Sequence, residues 1–244
     1  MSPNMNRDTI QPMQAFQGRV SQIQLWGGRQ VVRVACPQKM IPASGKYTLA
    51  WAEGDADAPL ATPLFTAQVD PDGFLAAPGA PPHWGPGTRL HLRGPLGRGF
   101  DLPLTARSVA LAACSATVAR LLPLMRDALA QEAAVALFTD NPLPALPLDL
   151  EVHPLSALPE ALSWADYLAL DLPVEMLDSL GRLLGVDEFT ARALPAAQAL
   201  VLTPMLCGGM ADCAVCAVKT GRKWKMACKD GPVFNLKELY DGRR

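Results

Sequence analysis

Cys207, Cys213, Cys216 and Cys228 are four thiols within 22 residues, separated by five, two and eleven residues. Thiolates are soft ligands, and four of them so close along a chain point to metal or redox chemistry. Iron–sulfur clusters are held by four thiolates, and the plant-type [2Fe–2S] spacing runs C-x4-C-x2-C with a distant fourth cysteine. The stretch Cys207-Gly-Gly-Met-Ala-Asp-Cys213-Ala-Val-Cys216 matches that pattern with one extra residue in its first gap. Gly208 and Gly209 suit a loop wrapped closely around inorganic sulfide, because glycine accepts positive φ and has no Cβ to hold the backbone away. N–H groups of such a loop can point at the sulfurs.

Zn²⁺ is the rival occupant, since C-x2-C also suits a tetrahedral four-thiolate site. A usual zinc ribbon has two such knuckles and this chain has one. The other two cysteines, Cys36 and Cys114, stand alone in apolar surroundings and are expected to be small core residues.

The elements that must position these thiols fall in three stretches. From about Ala15 to Leu104 the chain reads as short strands: Phe16–Leu25, Gln30–Cys36, Gly45–Trp51, Phe65–Val69 and Arg89–Arg93. Gly27-Gly28, Asp70-Pro71-Asp72-Gly73 and Gly85-Pro86-Gly87 break them, so a small β-barrel is expected over 1–104. From 105 to 193 apolar runs (Ser108–Ala113, Ala134–Thr139, Leu150–Pro154, Trp164–Leu170) alternate with helical periodicity over Thr117–Glu132 and Val174–Leu184. That alternation predicts an α/β layer with a parallel sheet. Asn141–Pro147 reads as a Pro-rich loop, and residues 194–244 form the module that carries the cysteines. The expected class is therefore α+β multidomain: barrel, nucleotide-binding-like α/β domain, [2Fe–2S] module.

Composition narrows the partners. The formal net charge is −1, and no basic stripe is available to neutralise a phosphate backbone, so nucleic acid is not expected. No run of 18 apolar residues occurs and Met1–Gln14 is polar, so neither a membrane span nor a secretory signal is read, and a reducing cytoplasm is the expected location.

Two segments resemble a known family. Cys228-Lys-Asp-Gly-Pro-Val-Phe234 after a C-x2-C is similar to the end of the electron-transfer subunit of bacterial dihydroorotate dehydrogenase, a ferredoxin reductase-like flavoprotein. Gly94-Pro-Leu-Gly-Arg-Gly-Phe100 resembles that family's segment at the barrel exit. The resemblance implies the barrel, α/β and cluster order already described. It also implies electrons passing between a partner's FMN, the cluster, FAD and a nicotinamide nucleotide. It carries the cluster ligands onto Cys207, Cys213, Cys216 and Cys228, and an FAD site onto Pro63, Gly94 and Gly97.

The chain departs from the family at both nucleotide sites. Thr62-Pro63-Leu64-Phe65 stands where the family has Arg-Pro-x-Ser, so the charged anchor for the flavin phosphate is missing. The strand-to-helix turn Ala112–Thr117 has no glycine to let a pyrophosphate approach the backbone. Asp171-Leu172-Pro173 replaces a Cys-Gly-Pro turn; Asp171 reads as a helix cap and Leu172 as core. NAD is therefore not expected. The function implied is a [2Fe–2S] electron-transfer subunit working with a flavoenzyme of the FMN dihydroorotate dehydrogenase kind, with Trp224 near the docking face. A degenerate regulatory or assembly paralogue and a structural four-cysteine zinc protein are the alternatives.

Overall fold

The computed structural model describes residues 16–54, 60–144, 146, 150–186 and 196–241. The polar stretch to Gln14, the boundary at 193/194, and Ala145 and Pro147 of the Pro-rich loop lie outside the described residues.

Six strands close the barrel: β1 (Phe16–Trp26), β2 (Arg29–Ala35), β3 (Tyr47–Ala52), β4 (Thr62–Asp70), β5 (Gly73–Ala76) and β6 (Arg89–Leu96), in the order β1-β2-β5-β4-β3-β6. Gly27 and Gly28, at φ +55° and +76°, make the two-residue turn between β1 and β2. Val20, Val32, Val34, Phe74, Trp84 and Leu92 fill the interior. β5 is a strand the sequence pattern does not announce. It is four buried residues long, and at Gly73 a Cβ would collide with the Val34 carbonyl of the neighbouring strand.

The second layer is a six-stranded sheet. β7 (Ser108–Ala113), β8 (Ala134–Thr139), β9 (Glu151–His153), β10 (Tyr167–Pro173) and β11 (Ala196–Leu202) run parallel. β12 (Ala217–Thr220) and β13 (Lys223–Met226) form a separate hairpin, after which β14 (Val233–Asn235) returns antiparallel to β11. The sheet order is β14-β11-β10-β7-β8-β9. β11 was expected to open the cysteine module but is instead a strand of this sheet.

Helices are shorter than their periodicity predicts. Thr117–Glu132 resolves into a 3-10 turn, Ala119–Leu121, followed by α1 (Leu122–Ala130) with Pro123 in its first turn. Val174–Leu184 is a 3-10 stretch, Val174–Ser179, and a short helix, Leu180–Leu184, stopped by Gly185 at φ +61°. One apolar core runs through both layers: Tyr47, Leu49 and Phe65 of the barrel share it with Leu170 and Leu200 of the sheet and with Cys216 and Cys228. No helix among the described residues is long and apolar enough to cross a membrane.

Candidate metal centre

Buried Val201 and Met205 anchor the segment that leaves β11, and beyond them the chain turns repeatedly without regular structure up to Cys216. Gly208 (φ +63°) and Gly209 (φ +75°) adopt the left-handed conformation, and so do Ala211 (φ +66°) and Ala214 (φ +55°). For alanine that conformation costs on the order of 1–2 kcal/mol, so two such residues in one short loop mark a backbone shaped for something other than its own stability.

The shape aims N–H groups inward. The N–H groups of Met210, Asp212 and Cys213 donate to the sulfur of Cys207, and that of Ala211 donates to the sulfur of Cys228. Successive amides turned to one side form an anion-binding concavity. Burial pushes the Cys207 thiol up, but the amides of Asp212 and Cys213, the Cys213 thiol and the amide of Met210 reverse this and bring it down to about 6. Cys228 is pushed the other way, up to about 12, by burial and by its neighbour Cys216.

The four thiols meet as two pairs: the Cys213 thiol donates to Cys207, and the Cys228 thiol donates to Cys216. Cys207 is also close enough to Cys228 for their charges to interact. Among the described residues, no three His, Cys, Asp or Glu side chains converge as a single metal ion requires. Two adjoining pairs, with amides directed at the sulfurs, fit a centre holding two irons, each taking two thiolates. Cys216 and Cys228 are buried, Cys207 is half-buried and Cys213 is exposed.

The β12–β13 hairpin holds the second pair in register. The Ala227 N–H donates to the Cys216 carbonyl (2.9 Å), and the Met226 N–H donates to Asp230 Oδ2 (2.9 Å). Lys225 ties the hairpin to the helix Leu236–Asp241 through Glu238 (2.6 Å). From the barrel, the Tyr47 hydroxyl donates to the Cys228 carbonyl (2.6 Å), and Arg93 Nη1 donates to the Gly208 carbonyl (2.6 Å). Sequence reasoning missed both residues, because these contacts span 181 and 115 residues.

The residues read as an FAD site sit as follows. Pro63 pairs with Leu49 in the β3–β4 ladder. At Gly94 a Cβ would meet Thr48 Oγ1 at 2.8 Å, and at Gly97 one would meet the Gly231 carbonyl at 2.5 Å. Phe65 lies beneath the Arg120 guanidinium, 6.0 Å from ring centre to charge. Cys36 and Cys114 are both half-buried, and burial lifts their thiols to about 11 and about 12.

The sheet order reverses between β7 and β10, and in open α/β sheets ligands bind at the carboxyl ends of the strands at such a switch point. Here that place holds a closed polar network. Arg120 Nε donates to Asp171 Oδ2 (3.0 Å), Ser115 Oγ donates to the same oxygen (2.9 Å), and Arg120 Nη2 reaches Ser115 Oγ (2.7 Å). The expectation that Asp171 caps a helix is thus corrected. It lies inside β10, and the 3-10 stretch that follows has Pro173 at its N-terminus and no side-chain cap. Leu172 is core, as its apolar context predicts.

Comparison with known proteins agrees with this geometry. Residues 203–240 match the family described as the iron–sulfur cluster binding domain of dihydroorotate dehydrogenase B. No curated protein sequence matches the chain. Among solved structures, an NADH-dependent reduced ferredoxin–NADP oxidoreductase studied for flavin-based electron bifurcation superposes with a TM-score of 0.69 at 14% identity, over 91% of this chain and 88% of that one. The ferredoxin reductase of carbazole 1,9a-dioxygenase gives 0.57 at 22% identity, over 73% and 68%. The Amycolatopsis cytochrome P450 reductase GcoB gives 0.54 at 16%, over 71% and 66%. Residues 203–240 thus match an iron–sulfur cluster binding domain, and the chain shares its fold with these reductases.

Proposed function

We propose that Cys207, Cys213, Cys216 and Cys228 hold a [2Fe–2S] cluster, through which this chain exchanges single electrons with a flavoenzyme partner. The observation that carries the proposal is the pairing of the thiols under inward-pointing amides. Bound there, the cluster supplies one-electron redox chemistry, and the protein supplies position and electrostatics. Cys207 and Cys213 would take one iron, and Cys216 and Cys228 the other.

The surroundings support a one-sided electron path. Tyr47 and Arg93 cover the barrel side. On the other side Cys213 is exposed, with Leu206, Met210 and Val215 of the same segment and Trp224 of the β12–β13 hairpin, the last 65% exposed. Large apolar side chains beside an exposed ligand suit docking of a second protein. By the family of residues 203–240 we take the partner to be of the FMN dihydroorotate dehydrogenase kind, acting in pyrimidine synthesis in the cytoplasm.

The chain's own residues oppose a nicotinamide nucleotide. The turn after β7 lacks glycine, and Ser115 and Arg120 are engaged with Asp171 Oδ2 where the pyrophosphate would sit. FAD enters as a second cofactor only, since Thr62 and Phe65 replace the charged and hydroxyl anchors.

Anaerobic purification with iron, sulfide, zinc and flavin analysis, alongside a visible spectrum, tests the proposal. About two irons and two sulfides per chain, with bands at roughly 400–600 nm, are expected. Additional flavin bands would add FAD. A colourless chain carrying stoichiometric zinc would overturn the assignment.

A further inference from the structure

Resting on the cluster assignment above, we propose that Arg93, a barrel residue outside the cysteine segment, sets the cluster's reduction potential by its charge, while Tyr47 clamps the fourth ligand. Arg93 leaves β6 and ends on the carbonyl of Gly208, the residue next to Cys207 (Nη1 to O, 2.6 Å). Its Nε is buried and has no hydrogen-bond partner among the described residues. A guanidinium brings five donors and a permanent charge. A carbonyl can be met by neutral donors, so spending a half-buried cation on one, with a donor left over, is not explained by the hydrogen bond alone.

The charge has a target. Arg93 Nη1 sits on the carbonyl of Gly208, the residue bonded directly to Cys207, the first of the four proposed ligands. Reduction adds one negative charge to the cluster. A positive charge fixed beside a ligand residue favours the reduced state. Tyr47 acts differently. It is fully buried, has no formal charge, and holds the Cys228 backbone through its hydroxyl (2.6 Å). A Cβ built on Gly209 would lie 3.2 Å from the same hydroxyl oxygen, which leaves little room there for a side chain.

The test uses the purified holoprotein with Arg93→Lys, Arg93→Gln, Arg93→Met and Tyr47→Phe. Iron and sulfide are counted, and midpoint potentials are read by redox titration followed by electron paramagnetic resonance. The two neutral Arg93 variants should keep the cluster yet disfavour its reduction about tenfold, a potential lower by about 59 mV for one electron. Lysine, which keeps the charge, should stay close to wild type. Tyr47→Phe should leave the potential in place and release iron faster to a chelator. Loss of cluster from both neutral variants with retention in Arg93→Lys would also place the charge at the site. Three outcomes overturn the proposal: unchanged potentials in the neutral variants, equal shifts in Lys and Gln, or cluster loss from all three. A wild-type chain that takes up no iron and sulfide would instead overturn the iron–sulfur assignment itself.

Discussion

Replacing Arg120 by methionine removes one half of a buried ion pair and keeps most of its volume. Asp171 is fully buried, Arg120 is 8% exposed, and Nε and Oδ2 lie 3.0 Å apart. After the change Asp171 keeps only the Ser115 hydroxyl, and its Oδ1 already lacks a partner. Breaking a buried pair from one side costs about 3–5 kcal/mol. For a chain of this size that lowers the melting temperature by about 6–20 °C. Burial already holds the Asp171 carboxyl above its ordinary range, with Arg120 and Ser115 pulling it back. Without Arg120 it must rise further. An acid whose folded pKa exceeds its unfolded one binds more protons when folded, so stability falls as pH rises from about 4 through the raised value. The deficit of the variant should therefore be larger at pH 8 than at pH 5. Thermal unfolding of wild type, Arg120→Met, Asp171→Leu and the double variant, at matched cluster content and followed by two probes, measures it. The double variant should recover most of the loss, because no charge is then left unpaired. A loss below about 2 °C in Arg120→Met, a pH-independent deficit, or a double variant falling by the sum of the singles would refute the reasoning.

Cys213→Ser should bleach the cluster and Cys36→Ser should not, as visible absorption will record, because a hydroxyl is a poor ligand for sulfide-bound iron. Cys36, lifted by burial to about 11, should react with iodoacetamide at pH 8 at least a hundredfold more slowly than a free thiol, with the rate climbing up to that value. Gly97→Ala should destabilise by about 1–2 kcal/mol or more in denaturant titrations, since φ is +74° there and the new Cβ would press on the Gly231 carbonyl. Purified chain alone should not oxidise NADH with an artificial acceptor, and turnover should appear only when a flavoenzyme partner is added. Saturable oxidation at micromolar nucleotide by the isolated chain would restore a conventional reductase.

Legibility followed the range of the interactions. Alternation along Gln30–Cys36 and glycine turns made most barrel strands visible, because period and turn chemistry are local. The strand Gly73–Ala76 was not visible: all four residues are buried, so there is no alternation to read. Asp171 before Leu172-Pro173 looked like a helix start on local grounds, and the partner that keeps it in a strand lies 51 residues away. The cysteine spacing revealed the ligand set and its loop. It could not reveal Tyr47 and Arg93, whose neighbours in the chain give no hint of where their polar ends arrive. The stretches expected as helices over Thr117–Glu132 and Val174–Leu184 each begin as a 3-10 turn, which the 3.6-residue period does not distinguish from a helix.

The return of β14 to the sheet ties assembly of the centre to completion of the core. β11 is an inner strand only once Val233–Asn235 has paired with it. The residues that supply this last strand come directly after Cys228, the fourth thiol. A nascent or clipped chain ending before them has an open sheet edge with unpaired amides, which invites pairing with other chains. If it ends before Cys228, it also has only three of the four thiols. The fourth thiol and the strand that protects the sheet edge are therefore supplied by one short stretch of chain.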